Sequence, residues 1–255
     1  MVEVTSRDNP KIKLIRRIRD GREPDSIFLE GLRLCREAMR SPVEITDAVF
    51  AKSFSGFDEF ESIPDRIVVP DKVFQTLSDT KQSQGVIFIA RRPATDFAHF
   101  MFGRSAVGSS SALLMHRINN PQNLGAIMRS CEAAGVRDVV VSNGSADCYS
   151  AKSLRASMGS ALRMNVWERA GFDEILGWAK RSGLKLVATD ISGSRSYRDF
   201  DWSVPHLIVF GSEAHGLCAN ELEAMDEVVT IPMKNGVESL NLAVAAGIIL
   251  FERIA

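Results

Sequence analysis

Three short stretches place chemically useful side chains directly after apolar runs. The first, residues 119–129 (NNPQNLGAIMR), holds the Asn123 amide and the Arg129 guanidinium. The second, 211–216 (GSEAHG), holds the Glu213 carboxylate between Gly211 and Gly216. The third, 239–241 (SLN), holds the Ser239 hydroxyl and the Asn241 amide where an apolar helix begins. Each has a bland explanation as well: an arginine on a helix surface, a glycine turn, a capped helix. Together they set an amide, a guanidinium, a carboxylate and a hydroxyl beside strand ends of one domain, which describes a ligand site and by itself no reaction. The chain has no G-x-x-x-x-G-K-[ST], G-x-S-x-G, H-E-x-x-H or G-x-G-x-x-G run. Its four cysteines and four histidines are scattered, so neither a disulfide framework nor a metal site is expected.

The elements that must carry these residues can be read from periodicity and punctuation. Residues 112–118 (ALLMHRI) read as a buried strand, followed by Asn120 as N-cap, Pro121 at the first helical position and a helix running toward Ala134. Residues 138–141, 184–189, 207–210 and 228–232 read as further strands, and 150–160, 172–181 and 221–225 as helices. The final stretch, 231–251, turns through Lys234, Asn235 and Gly236 and enters a helix at 238 or 239, with Ser239 as its expected N-cap. From 240 to 251 that helix is apolar on nearly every face, which places it in a core or an interface.

The front of the chain alternates strands and helices too, with strands at 27–29, 45–50, 66–69 and 85–90. It opens with the stretch 7–22 (RDNPKIKLIRRIRDGR), a basic amphipathic helix starting near Asn9-Pro10, whose apolar stripe is Ile12, Leu14, Ile15 and Ile18. That helix reads equally well as a solvated face or as a phosphate-contacting element. Residues 94–111, with Gly103, Gly108 and the run Ser109-Ser110-Ser111, have the composition of a linker. The expected organisation is therefore a small α/β domain over 1–93, a linker over 94–111 and a larger α/β domain over 112–255. The net charge is −1, so nucleic-acid binding would need local basic patches. The N-terminus has no apolar signal region and no run is apolar enough to span a bilayer, so a reduced, cytoplasmic, metal-free protein is expected.

The stretches NNPQNLGAIMRSCEAAGV, LIVFGSEAHGL and IPMKNGVESLNLAVAAGI, in this order, resemble the three signature motifs of the SpoU (TrmH) family of RNA ribose 2′-O-methyltransferases. FLEGLRLCREA and QGVIFIA resemble the L30e-like RNA-binding domain that often precedes them. The resemblance implies a C-terminal SPOUT-type parallel-sheet domain tied in a trefoil knot, a homodimer, and S-adenosyl-L-methionine as cofactor. Carried over by motif position, Gly211, Glu213, Gly216, Ile231 and Leu240 would serve the cofactor, and Asn123, Arg129, Ser239 and Asn241 catalysis and substrate positioning. Arg16, Arg17, Arg19 and Arg155 are the candidate RNA contacts.

The implied reaction methylates a ribose 2′-hydroxyl. That hydroxyl is a weak nucleophile, and its attack must be in line with the departing sulfur, so positioning alone gives a large rate effect. An arginine is a poor literal base, with a pKa above about 12. Holding the target phosphate and stabilising charge on the oxygen is therefore the favoured role for Arg129, with a base role through a depressed pKa as the alternative. The separate front domain, by analogy, favours 23S ribosomal RNA as substrate. The rivals are a transfer-RNA ribose methyltransferase and a non-catalytic RNA-binding or assembly factor of the same fold.

Overall fold

The computed structural model describes residues 1–107 and 111–252, without side chains at 105–107. The chain divides into two units, one of Met1–Pro93 with Cys148–Arg163, the other of Ala94–Asp147 with Met164–Ala255.

The first unit contains β1 (Val2–Glu3), α1 (Pro10–Arg19), β2 (Ser26–Glu30), α2 (Leu32–Met39), β3 (Ile45–Ala51), β4 (Arg66–Val69), α3 (Asp71–Leu77) and β5 (Val86–Arg91). Its mixed sheet has the order β1-β4-β3-β5-β2, with β2 and β3 antiparallel to β5 and β4 parallel to β3. Helix α1 starts where Asn9-Pro10 predicts, with Asn9 Oδ1 accepting from Lys11 N at 2.9 Å. Ile12, Ile15 and Ile18 of α1 and Val73, Phe74 and Leu77 of α3 pack on the sheet residues Val49, Ile67 and Ile87. Leu14, read as part of the apolar stripe, is 45% exposed, because the buried face repeats every three residues and Leu14 falls between its rows.

The second unit begins with α4 (Phe97–Val107), inside the stretch expected to be a linker. Glycine and serine content suggested a linker, yet Phe97, Phe100 and Met101 stand at helical spacing and form an apolar stripe. Phe100 is fully buried, its ring 5.2 Å from that of Trp178 and 5.9 Å from that of Trp167. Gly108, Ser109 and Ser110 of the same stretch lie outside the described residues. There follow β6 (Ser111–Met115), α5 (Pro121–Ala133) and β7 (Asp138–Ser142). Helix α6 (Ala151–Ser157), expected here, belongs instead to the first unit, where Arg155 pairs with Asp79 at 2.7 Å and Leu154 is buried. Chain adjacency had placed it, whereas its buried face and ion pair decide where it packs.

The chain continues through β8 (Asn165–Ala170), α7 (Phe172–Arg181), β9 (Lys185–Thr189), β10 (Arg195–Ser196), β11 (His206–Phe210), α8 (Ala219–Glu223), β12 (Glu227–Thr230) and α9 (Leu242–Glu252). Strand β8 was not expected. It is an edge strand, and its sequence NVWERA has no continuous apolar run. All neighbours in this sheet are parallel, in the order β10-β12-β9-β11-β6-β7-β8. Runs such as SALLM and HLIVF are buried at every position, as expected of central parallel strands covered on both faces. From β6 the chain winds outward through β7 and β8, then returns to β9, and β11 fills the place between β9 and β6. At such a reversal the loops leaving the strands' carboxyl ends diverge and open a crevice. The loops after β6, β9, β11 and β12 all leave from this edge, and they carry the three polar stretches singled out above. Among the described residues no helix is long and apolar enough to cross a membrane.

Candidate active site

Three of these loops meet through one amide. Asn123, in the first turn of α5, donates from Nδ2 to Glu213 Oε1 at 3.2 Å and accepts at Oδ1 from Asn241 Nδ2 at 3.1 Å. The residues lie 90 and 118 positions apart in sequence. The Glu213 carboxylate also accepts from Asn119 N and Asn120 N, each at 3.1 Å. It therefore ties the loop after β11 to the start of α5, whose first N–H groups have no partner within the helix. Asn120 caps α5 as expected, accepting from Gln122 N at 2.9 Å. Burial pushes the Glu213 pKa up, but the hydrogen bonds from its own N–H, Asn119, Asn123 and Asn120 outweigh it and hold the group below its ordinary value.

The Glu213 loop is a tight reversal. Ser212 N donates to Gly216 O at 3.2 Å and Gly216 N to Ser212 O at 2.9 Å. A Cβ on Gly211 would sit 2.3 Å from Gly216 C, so only glycine permits the two segments to touch.

Helix α9 starts later than expected, at Leu242, and Asn241 rather than Ser239 is its cap. Asn241 Oδ1 accepts from Ala243 N at 3.0 Å and from Val244 N at 3.3 Å. An asparagine in the right backbone position caps as well as a serine, and here its amide NH₂ is left to reach Asn123. Ser239 is thereby released. It lies exposed on an irregular segment and lines a cavity with Leu240, Ile231, Phe210, Thr189 and Asp190. Thus three of the expected residues, Ile231, Ser239 and Leu240, share one cavity wall. Gly211, Glu213 and Gly216 stand outside that lining, although a Cβ on Gly216 would come within 3.0 Å of Asp190 Oδ2. Thr189 and Asp190 were not anticipated. They carry no motif, and only their place at the carboxyl end of a central strand could have pointed to them.

Arg129 is apart from this constellation. It projects from α5, exposed, and makes no hydrogen bond or ion pair with another described residue. Six residues of helix separate it from Asn123, about 9 Å along the axis and on a different face.

Behind the site, His116 is buried and its Nε2 lies 3.0 Å from Glu221 Oε1. Burial lowers the His116 pKa more than Glu221 raises it, and Arg117 adds to the lowering. For Glu221, burial raises the pKa, but the Cys218 N–H and His116 bring it below its ordinary value. The two directions agree on a neutral imidazole donating to an ionised carboxylate.

The candidate RNA contacts are all occupied to some degree. Arg16 donates to Thr76 Oγ1 at 2.6 Å, and Arg19 to Thr76 O at 2.9 Å and to Asp20. Arg17 pairs with Glu23 at 2.7 Å, with its side chain 60% exposed. Arg155 pairs with Asp79.

The SpoU rRNA Methylase family model matches residues 110–251, more than half of the chain, and the MRM3-like substrate binding domain matches residues 9–88. The chain belongs to the SpoU rRNA methylase family. A 23S rRNA (guanosine(2553)-2′-O)-methyltransferase of Bacillus subtilis (strain 168) is 25% identical over 98% of each chain. A 23S rRNA (uridine(2479)-2′-O)-methyltransferase of Streptomyces viridochromogenes is 31% identical over 73% of this chain and 66% of its own length. The AdoMet-bound rRNA methyltransferase of Sinorhizobium meliloti superposes with a TM-score of 0.85 at 28% identity, covering 99% of this chain and 97% of that one. As a SpoU methylase with a substrate-binding domain in front, the chain carries the two-part α/β organisation that the motifs implied.

Proposed function

We propose that this SpoU methylase transfers the methyl group of S-adenosyl-L-methionine to a ribose 2′-hydroxyl of 23S ribosomal RNA. The observation that supports it most is the Asn123 node, which draws the three motif loops together beside a cavity at the switch point of a parallel sheet. The donor set of that cavity suits the cofactor. Phe210, Ile231 and Leu240 offer apolar walls to an adenine ring. Asp190 and Ser239 offer acceptors to hydroxyl or ammonium groups. Gly211 and Gly216 shape the neighbouring loop, with Glu213 bracing it. Once bound, the cofactor supplies an electrophilic methyl group.

The protein's task is then to place and activate the hydroxyl. Asn123 and Asn241 form a fixed pair of amides at the crevice, suited to orienting the ribose. Arg129, with no partner among the described residues, is free to hold the adjoining phosphate and to stabilise negative charge developing on the attacking oxygen. Its separation from Asn123 favours a homodimer in which the two halves of a site come from two copies. Val244 and Phe251 of α9 are exposed by 51% and 46% and stand seven residues apart on one face, an apolar stripe suited to such an interface. The trefoil knot belongs to the same proposal, and the return of the chain to pack α9 on α5 accords with it. Of the basic helix, Arg17 is the arginine best placed to reach RNA, with Arg16, Arg19 and Arg155 supporting the first unit from within. We infer a cytoplasmic location from the ribosomal substrate.

The test is methyl transfer from tritiated S-adenosyl-L-methionine to 23S ribosomal RNA and to total transfer RNA, each prepared from cells lacking the protein, followed by mapping of the modified ribose. Label in 23S RNA at one 2′-oxygen is expected. Label confined to transfer RNA would move the substrate assignment. Cofactor binding by calorimetry without label in either RNA would favour the assembly-factor reading.

A further inference from the structure

The first unit holds an open groove of about 410 Å³, far in sequence from the three methylase motifs. Its walls are the segment 51–55 after β3, the first turn of α3, and residues 83–85 before β5. The lining mixes two aromatic residues, the partly exposed Phe54 and the buried Phe74, with the amides of Gln75 and Gln84, hydroxyls and the Asp71 carboxylate. Such a mixture suits neither a lipid nor an apolar helix.

Phe54 is the partly exposed aromatic element. One side of it stacks on Phe50, with centroids 5.4 Å apart and planes at 22°, and Phe57 meets it edge-on at 5.5 Å. The ring lies against Gly56, where a Cβ would approach its Cζ to 2.9 Å, so a larger residue there would displace it. The ring is thus held in place while Phe54 stays partly exposed along the groove.

Around it stand groups suited to the edge of a nucleobase. Gln84 Oε1 accepts from Leu32 N at 2.9 Å, which leaves its NH₂ as the donor available to a ligand. Asp71 Oδ1 accepts from Ser53 N at 3.1 Å and Ser53 Oγ at 3.0 Å, so Oδ2 is the open acceptor. Gln75 follows Asp71 by one helical turn, on the same face, exposed and without a partner among the described residues. Ser83 is fixed by its 2.8 Å bond to the buried Glu30. Lys72 and Lys81 are exposed, carry no ion pair among the described residues, and flank the groove in sequence on α3 and on the loop that precedes Ser83.

We propose that this groove captures one unpaired guanine of the RNA substrate, stacked on Phe54, with Asp71 accepting from its N1–H and N2–H and the Gln84 amide donating to its O6. Proteins that read single-stranded RNA splay out a base, stack it on an aromatic ring and hydrogen-bond its Watson–Crick edge. Guanine alone presents two adjacent donors beside an acceptor, which is the complement of a carboxylate next to an amide NH₂. Adenine would set its N1 acceptor against Asp71 and be rejected. Lys72 and Lys81 would meet the phosphates on either side. The inference rests on RNA being the substrate and adds where, and by which base, the first unit holds it.

The test uses the full chain and fluorescein-labelled RNA octamers made of uridine with a central guanosine, a central adenosine or no replacement, followed by anisotropy. Cofactor affinity and melting temperature are measured in parallel, so that failure of this site and failure of the methyltransferase assignment separate. Wild type should bind the guanosine octamer roughly tenfold more tightly than the other two, the scale of discrimination by one bidentate base-edge contact. Phe54→Leu should remove about that factor, Gln75→Ala a smaller part, and Asp71→Asn should erase the preference for guanosine over adenosine, all with cofactor affinity unchanged. Gln75→Ala alters an exposed side chain and keeps the test open if Phe54→Leu melts early. Equal affinity of wild type for the three octamers, no binding up to millimolar protein, or a guanosine preference that survives Asp71→Asn overturns the proposal.

Discussion

Helices α1 and α5 begin alike. Each opens on Asn-Pro, and in each the asparagine Oδ1 accepts from the N–H two residues on, Asn9 from Lys11 N and Asn120 from Gln122 N, both at 2.9 Å. Each also carries arginine. Beyond the cap they part. The arginines of α1 are turned to Thr76, Glu23 and Asp20 within their own unit, whereas Arg129 of α5 has no partner among the described residues. Among the described residues the cap of α1 is made by near neighbours, and its first turn is tied further away through the Lys11–Asp47 ion pair at 2.5 Å. The start of α5 is also held by Glu213 and, through Asn123, by Asn241. The same local chemistry thus builds a scaffold helix in one place and a helix of the candidate site in the other. Charge density in a sequence does not measure the charge available to a partner. What counts is whether the fold supplies a counter-group.

The largest expected difference between the two helices is in catalysis. Arg129→Ala should lower single-turnover methyl transfer by about 10²–10³-fold, the range for losing a group that stabilises developing charge, with cofactor affinity within a factor of two. Arg129→Lys should restore little if bidentate phosphate contact is the role, since lysine lacks the planar fork. A variant Arg129→Ala that methylates at the wild-type rate would remove α5 from the catalytic centre. Next in size is Glu213→Gln. Its NH₂ group must replace either Oε2, which accepts from Asn119 N, or Oε1, which accepts from Asn120 N and Asn123 Nδ2, so at least one donor then faces a donor and S-adenosyl-L-methionine affinity in calorimetry should fall roughly tenfold, the scale of one lost hydrogen bond to a charged group. Unchanged affinity would mean that the brace and the cavity are independent.

Smaller effects should sharpen the contrast at the caps. Asn9→Ala and Asn120→Ala should each cost about 1 kcal/mol of stability in denaturant titrations, but only the second should depress kcat per folded molecule. Equal loss of kcat in both would dissolve the distinction between scaffold and site. Reversing Arg16, Arg17 and Arg19 to Glu should destabilise the first unit, because Arg16 and Arg19 tie α1 to Thr76 at the end of α3. Its effect on RNA should be limited, a fall in the log–log salt slope of about 0.7–0.9, the equivalent of one phosphate contact by Arg17. A fall three times larger would restore all three arginines as RNA contacts.

The mildest contrast concerns pH. His116, just before the α5 loop, has its pKa lowered in the folded state, chiefly by burial. On acidification below its ordinary value of about 6.5 the unfolded chain binds a proton that the folded one refuses, so stability declines until the lowered native pKa is reached. Glu213, also lowered, adds stability that is present above its ordinary value of 4.5 and lost as pH falls through the native pKa. Hydrogen exchange should therefore quicken at the start of α5 as pH falls from 7 to 4, after correction for the intrinsic rate, with His116→Gln flattening the first part of that change. Parallel loss of protection at the start of α1, where Asn9 caps without a titrating partner, would point to global rather than local loosening.

Much of this protein was legible in its residues. Apolar runs such as LIVF, the Asn-Pro starts and the three motif stretches are local signals, and they located α1, α5, β11 and the family without any tertiary information. That Asn123, Glu213 and Asn241 belong together followed from motif resemblance, since spacing joins no residues 90 or 118 positions apart, and the fold brings the three side chains into hydrogen bonds. Four matters were decided by the tertiary structure. Helix α4 replaced a linker because Phe100 finds the rings of Trp167 and Trp178. Helix α6 joined the first unit because Arg155 finds Asp79. Asn241 took the cap from Ser239 because the backbone turns into helix only at Leu242. The arginines of α1 became internal because Thr76 and Glu23 lie within reach. In each case a side chain could serve more than one partner, and local sequence is degenerate among those uses. Burial and hydrogen-bond pairing, which depend on residues far along the chain, select one.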